Sequence, residues 1–338
     1  MSVRNRVVLC YTTILFSFLL STLLPTSAST LNLTVIPEKQ VYSVGELVRI
    51  NGNLSLNDEP ISDALVAVEV DNPKGDIFIL RTFDTGSIDP NQTWPIEIEE
   101  LYPCDSQGTP KYTFQPGSNA GFYIKLRNKA GYPFDIIVTL SIVYSNKAPF
   151  TNVLMCNTSI SVGQTIAVTR WPVPIPEGFN VVPGNTTVYA NIYNVLPRDN
   201  GFAYCPEEST SFIIGSDGQG SSTPSGNSQF ALELALSQIA VWLGNYTIYG
   251  MTKYTVLVAS SLSTFEVILV GDLYPDGVID MRDIAIVARA FGTEEGDPGW
   301  NPDADLTGPE YLVPDGEVDM RDVALVARAF GTEALFDP

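Results

Sequence analysis

The sequence predicts a mainly β protein: two β-sandwiches, the second inserted into a loop of the first, followed by a small helical unit. Three observations lead there. Aromatics make up 10% of 338 residues, beside many Thr, Val and Ile and with 26 Gly and 24 Pro, the composition of a turn-rich β chain with ample core. Short alternating apolar segments separated by turn residues recur through residues 31–270. Residues 271–338 hold 16 of the 38 Asp and Glu against four Arg, a local balance of −12 in a chain of net charge −20, which marks the C-terminal fifth as a separate unit.

Charge and composition exclude whole classes of function. The acid excess argues against nucleic acid as a partner, because a phosphate backbone is held by clustered Lys and Arg. The chain has no histidine, so Ser-His-Asp and Cys-His catalysis and imidazole metal sites are absent. Carboxylate, Tyr, Lys or metal chemistry remains, but no paired-carboxylate motif stands out in the β region, and no enzyme activity is expected.

The chain opens with Arg4 and Arg6, an apolar run Val7–Leu24 and a small-residue stretch ending at Ala28. This reads as a signal peptide over residues 1–28 and an extracellular or cell-surface destination, the alternative being an uncleaved membrane anchor. No other segment could span a membrane. Six Asn-x-Ser/Thr sites, at Asn32, Asn53, Asn91, Asn157, Asn185 and Asn245, agree with export of a glycosylated protein.

From Leu31 to Phe83 the strands read LNLTVIP, ELVRINGN, ALVAVEV and DIFILRTF. With VYSVGE before the second, they resemble the first half of Ig-like surface modules of bacteria and archaea. The second half of such a module, FALELAL, GNYTIYG and a TFEV-type strand, occurs only at Phe230–Leu236, Gly244–Gly250 and Thr264–Val270. Between the halves lies a complete second pattern: FYIKLRN, DIIVTLSIVY, TIAVTRW, TTVYANIYNV and SFIIG. Its opening, YTFQPGSNAGF, resembles Ig-like modules of the cell-adhesion type. Residues 29–86 and 228–270 are therefore expected to form one Ig-like sandwich, 87–215 an inserted one, and 216–227, rich in Gly and Ser, a linker. The alternative of three sandwiches in series leaves 228–270 with too few strands to bury a core.

Export puts Cys104, Cys156 and Cys205 in an oxidising setting. Cys104 precedes the inserted block's first strand and Cys205 its last, and domain ends lie close together, so a disulfide Cys104–Cys205 is expected to close the neck of the insertion. Cys156 is left over. Trp94, Trp171, Trp242 and Trp300 are read as core residues in preference to a sugar platform.

The C-terminal unit is duplicated. Pro275–Glu294 and Pro314–Glu333 agree at 16 of 20 positions. Each copy has Asp-Gly followed by further Asp residues three and six positions on. Calcium, a hard cation, takes its oxygens from loop positions 1, 3, 5, 7 through a carbonyl, 9 and 12, with Gly at 6 for the turn. The first copy then supplies Asp272, Asp276, the Val278 carbonyl, Asp280 and Asp283, with Tyr274 replacing the usual short polar residue at position 3. The second supplies Asp315, the Glu317 carbonyl, Asp319 and Asp322, with Asp305 and Thr307 at positions 1 and 3 once the six residues GPEYLV are looped out. A helix follows each loop, with Ile284, Val287, Ala288 and Phe291 expected on one apolar face and a Gly to end it.

One loop and one exit helix, twice, with WNPDAD between, closely resembles the dockerin family over Gly271–Thr332; the tail 333–338 lies outside the resemblance. The resemblance implies a dockerin-like domain over 271–338 with two Ca2+ ions, bound to a cohesin-like or other cell-surface scaffold protein. Its partner contacts would lie at Met281, Arg282 and Arg289 in one copy and Met320, Arg321 and Arg328 in the other. The expected protein is thus a secreted, non-catalytic one whose Ig-like sandwiches carry a calcium-dependent docking module. A structural surface-layer or adhesion protein, and a polysaccharide-binding subunit of a scaffolded complex, are the competing readings.

Overall fold

The computed structural model describes residues 29–86, 92–177, 181–215, 229–236, 241–309 and 312–335; the expected signal peptide 1–28, the linker 216–227 and Asn91 lie outside the described residues. The protein is mainly β. Its strands are β1 (Leu31–Pro37), β2 (Val41–Ser43), β3 (Leu47–Leu56), β4 (Glu59–Pro60), β5 (Leu65–Asp71), β6 (Ile77–Asp84), β7 (Ile96–Cys104), β8 (Thr113–Phe114) and β9 (Asn119–Asn128). They continue as β10 (Phe134–Val143), β11 (Pro149–Ile160), β12 (Thr165–Pro174), β13 (Gly184–Tyr193), β14 (Glu208–Ile214), β15 (Gln229–Ala235), β16 (Gly244–Tyr254) and β17 (Leu257–Ile268). Two α-helices follow, α1 (Met281–Ala290) and α2 (Met320–Arg328).

Four sheets form from these strands. One runs β1-β3-β15 with β4 on β3, and a second runs β2-β17-β16-β5-β6. In β3 the alternating sequence LVRINGNLSL turns Val48, Ile50 and Leu54 inward, and β15 sets Phe230, Leu232 and Leu234 beside them. These residues share one core with Val66, Val68 and Val70 of β5 and Tyr246 and Ile248 of β16. The chain segments before and after residues 96–214 therefore build one unit between them. The intervening strands form the sheets β12-β9-β7 and β11-β10-β13-β14-β8, which enclose a second core of Phe122, Ile124, Ile136, Leu140 and Phe212 among others.

The two units join through β6, an edge strand whose backbone would otherwise be open to pairing. Side chains of the inserted unit occupy that backbone. Asn152 Nδ2 donates to the carbonyls of Ile77 and Phe78 at 2.9 and 3.1 Å, and Ser141 Oγ accepts from the Leu80 N–H at 3.2 Å. Glu207 accepts from the Thr82 N–H at 3.2 Å and pairs with Arg81 at 2.7 Å. Arg81 also lies over the Tyr189 ring, 3.4 Å from its centroid.

The expected Cys104–Cys205 disulfide is not formed. Both thiols are free. Cys104 pairs with Gly121 at one end of β9, whereas Cys205 follows Tyr204, whose ring meets Phe134 just beyond the other end of β9. Cys104 does not precede the inserted unit's first strand but ends it, as the last residue of β7. Burial raises the Cys205 thiol well above its ordinary pKa, as expected of a packed and inert cysteine.

At the same junction Arg198, in the turn Pro197–Asp199, reaches back to β5 and pairs with Glu69 and Asp71, each at 3.0 Å. Two carboxylates face one guanidinium, with Asp76 nearby and Tyr193, Arg81 and Glu207 around them. Burial, reinforced by the Asp71 charge and opposed by the bonds from Arg198, raises the Glu69 carboxyl to about 7. The folded state then holds a proton that the unfolded chain has released above about 4.5, so stability falls as pH rises from about 4.5 to about 7. Glu69→Gln, which keeps the neutral shape, is expected to flatten this part of the stability-against-pH curve and to raise the unfolding midpoint at pH 8; an unchanged slope in denaturant titrations across that range contradicts the assignment.

Candidate functional site

The duplicated loops follow β17 with almost no linker, since Asp272 N–H donates to Leu269 O at 3.3 Å. In the first loop Asp272 accepts from the N–H groups of Asp276 at 3.3 Å and Gly277 at 2.9 Å. Gly277 takes φ of 80°, a conformation costly for any side-chain-bearing residue. Asp283, fully buried, accepts from the Tyr274 N–H at 2.8 Å and from the Asp280 N–H at 2.7 Å. Asp280 in turn caps α1 by accepting from the Arg282 N–H at 2.7 Å, so Asp280 and Asp283 form a reciprocal capping box.

The second loop repeats these contacts through residues separated by the extra segment. Asp305 accepts from Asp315 at 3.2 Å and Gly316 at 2.8 Å, and Gly316 has φ of 86°. Asp322, also fully buried, accepts from Leu306 and Thr307 at 2.7 and 2.9 Å and from Asp319 at 2.8 Å. Asp319 caps α2. Asp305 thus occupies the place of Asp272, and Thr307 that of Tyr274; Glu310 and Tyr311 lie outside the described residues.

Each copy completes the other. Gly331 N–H donates to Ile279 O and Ile279 N–H to Thr332 O, while Gly292 N–H donates to Val318 O and Val318 N–H to Thr293 O, at 2.8 to 3.0 Å. The Val278 and Glu317 positions, expected to offer carbonyls, lie beside Glu333 and Glu294 in these short bridges. Ile279, Val287, Val318 and Val326 meet in the shared core. On α1 the buried positions are Asp283, Val287 and Ala290. The expected stripe through Ala288 and Phe291 is therefore corrected: Ala288 faces out and Phe291 is 49% exposed, because the helix stops at Ala290 and Phe291 leaves with extended ψ of 131°.

The loop oxygens are all hard donors, suited to a cation such as calcium and not to soft metals. Among the described residues, no three Asp, Glu, Cys or His side chains are gathered as a metal cluster. The carboxylates are engaged instead with backbone N–H groups and with arginine. Arg282 pairs with Asp276 and, at 2.9 Å, with Asp280, and lies 4.7 Å from the Tyr274 ring centroid. Arg321 pairs with Asp315 at 3.0 Å and Asp319 at 2.7 Å. Hydrogen bonds from these arginines hold the half-buried Asp280 and Asp319 below the usual carboxylate range. Burial, with the Asp283 and Asp276 charges, raises Asp272 despite its two N–H donors.

Of the residues expected to meet a partner, Met281 and Met320 are 64% and 62% exposed, and Arg289 and Arg328 are exposed. The duplicated Phe330, 52% exposed, joins them at the start of α1, where the Gly331 bond to Ile279 holds it. Sequence reasoning missed one element altogether: the tail. Ala334 N–H donates to Gly277 O at 2.9 Å, and Leu335 exchanges bonds of 2.8 Å with Val241 and Leu243 of the first unit. Among the tryptophans, Trp94 and Trp300 pack on cores as expected, while Trp171 is 38% exposed and lies against Gly121.

No family model matches this chain, and no curated protein sequence matches it significantly. Among solved structures, it is similar to the alkylpurine DNA glycosylase AlkC of Pseudomonas fluorescens, at 15% identity and a TM-score of 0.28 over 36% of this chain and 31% of that one. It is also similar to the C-terminal domain of Wzt, at 12% identity and a TM-score of 0.31 over 39% of this chain and 85% of that domain. A Bacteroides uniformis β-glucuronidase aligns at 11% identity and a TM-score of 0.27 over 49% of this chain and 26% of the enzyme. The chain spans about a third or less of the two enzymes, and at TM-scores this low none of the three assigns a function.

Asp283 and Asp322 tie loop to helix in each copy, independently of any metal. Asp283→Ala leaves the Tyr274 and Asp280 N–H groups without their acceptor, and it is expected to destabilise this unit by ~1–3 kcal/mol even in chelator. Asp322→Ala is expected to do the same. Hydrogen exchange at these amides checks both: protection equal to that of the unaltered chain counts against the assigned bonds.

Proposed function

We propose that this is a secreted, non-catalytic cell-surface protein in which Ig-like sandwiches carry a dockerin-like module that docks on a cohesin-like or other scaffold protein in a calcium-dependent way. The observation that carries the reading is the repetition of one loop-and-helix device with all-oxygen donors, its buried Asp, its capping Asp and its Arg pairs the same in both copies. Asp272, Asp276, the Val278 carbonyl, Asp280 and Asp283 would hold one Ca2+; Asp305, Thr307, Asp315, the Glu317 carbonyl, Asp319 and Asp322 would hold the other. Each guanidinium set between two loop carboxylates is a stand-in cation and supports the fit of the donor set. Bound calcium would supply charge neutralisation and thereby rigidity, with Met281, Arg282 and Arg289, or their counterparts Met320, Arg321 and Arg328, offered to the partner.

Export rests on the N-terminal sequence alone; among the described residues no helix is long and apolar enough to cross a membrane. A second reading, polysaccharide binding by the inserted unit, is favoured by one observation: Trp171 stands exposed against Gly121 of β9, two residues along that strand from Tyr123, whose ring stacks on Tyr102 with centroids 4.6 Å apart. Retardation in gels containing soluble polysaccharide, lost in Trp171→Ala, would support it.

Calorimetric titration of the full chain with calcium tests the main reading. One ion per loop is expected, with one site lost in Asp283→Ala and the other in Asp322→Ala. A chain that binds no calcium, or variants that bind as many ions as the unaltered chain, would overturn it.

A further inference from the structure

Each helix of the C-terminal unit carries an arginine two residues after its capping Asp, and that arginine turns back on the loop the chain has just left. In the first copy the Arg282 N–H donates to Asp280 Oδ1, and the Arg282 guanidinium returns to Asp280 Oδ2 through Nε at 3.0 Å and Nη2 at 2.9 Å. The same Nη2 pairs with Asp276 Oδ2. The second copy repeats the arrangement: the Arg321 N–H donates to Asp319 Oδ1, while the guanidinium meets Asp319 Oδ2 at 2.8 and 2.7 Å and Asp315 Oδ2 at 3.0 Å.

These bonds divide the loop oxygens. Oδ1 of Asp280 and of Asp319 serves the start of a helix, and Oδ1 of Asp276 accepts from the Val278 N–H at 3.3 Å. Oδ2 of Asp276, Asp280, Asp315 and Asp319 is in every case the atom that a guanidinium holds. A guanidinium and a doubly charged calcium ion placed on the same oxygens repel each other. The arginines are also free to leave, since their side chains are 53% and 40% exposed and an exposed ion pair is a weak one.

We propose that Arg282 and Arg321 couple calcium to docking: calcium displaces each guanidinium from its loop carboxylates, and the freed guanidinium, beside the exposed Met281 or Met320, meets a carboxylate of the partner. This rests on the docking reading above and adds its regulation. The coupling runs both ways, because a partner carboxylate that draws an arginine off the loop leaves the Oδ2 atoms to calcium and tightens its binding by the same factor. Arg289 and Arg328, farther along the helices, are exposed, make no ion pair among the described residues and take no part in the exchange.

The full chain tests the coupling with calcium alone as the probe. In chelator the Nε–H protons of Arg282 and Arg321 are expected to exchange with water more slowly than those of Arg289 and Arg328, and in saturating calcium all four are expected to exchange alike, as read by nitrogen-15 NMR. By calorimetry, Arg282→Gln and Arg321→Gln are each expected to tighten one calcium site by roughly 3- to 10-fold. Arg282→Lys keeps the charge but loses Nε–H and the planar fork, and it is expected to tighten its site as well. Calcium that binds while the exchange at Arg282 and Arg321 stays slow overturns the proposal, as does an Arg282→Lys chain with unaltered affinity, and both leave the docking reading standing. A chain that binds no calcium rejects the docking reading and the coupling together, so the two failures are told apart.

Discussion

The ring of Phe230 closes the first core, and the order of the whole chain depends on it. It lies on the backbone of Gly52, where even a methyl group would come within 1.9 Å of the ring, and it stacks on Phe83 with centroids 4.8 Å apart. Gly52 belongs to β3, Phe83 to the last strand before the insertion, and Phe230 to the first strand after it. One contact thus joins three segments and brings the two ends of the inserted block together. Without β15 and β16, β3 and β5 would present Val48, Ile50, Val66 and Val68 to water, a loss of ~1.5–3 kcal/mol for each large side chain. The first unit can complete its core only after the inserted residues have been made.

The insertion also solves a problem that it creates. Placing a second unit after β6 leaves β6 as an edge strand, and Asn152, Ser141, Asn191 and Glu207 of that second unit occupy its backbone groups. β5, next to the edge, is buried along its whole length, so its polar residues Glu69 and Asp71 need a partner from outside their own unit. Arg198 supplies it. Burial out of water, which one guanidinium shared between two carboxylates does not offset, makes protonation of Glu69 favourable near neutral pH. The junction is therefore built from hydrogen bonds and charge, and its strength follows pH in a way that the apolar cores do not.

The mainly β character and the strand positions were legible because period-two alternation is written along each strand: LNLTVIP and LVRINGNLSL turn alternate residues inward in the structure. The loop-and-helix repeat was legible because it is a duplication, and the second copy's use of Asp305 could be worked out by matching it to the first. Cys104 misled because a cysteine's partner cannot be deduced from spacing along the chain, which does not show that Cys104 already belongs to β7. Phe291 misled because helical periodicity does not say where a helix stops. The bonds of Leu335 and Arg198 left no pattern at all, being contacts between elements far apart in the chain and made by one or two residues each.

Symmetry in this protein is local and ends where the copies must be attached. Duplication reproduces the main bonds between each loop and its own helix: the buried Asp283 and Asp322, the caps at Asp280 and Asp319, the arginines at 282 and 321. It even reproduces the bridges between copies, since Ile279 and Val318 each pair with the segment that leaves the other helix. What it cannot reproduce is position in the chain. The segment after the first helix runs on into the second copy, whereas the segment after the second pairs with the body through Leu335, bonded to Val241 and Leu243. The symmetry holds through Ala334, whose bond to Gly277 matches that of Glu295 to Gly316, and it ends at Leu335.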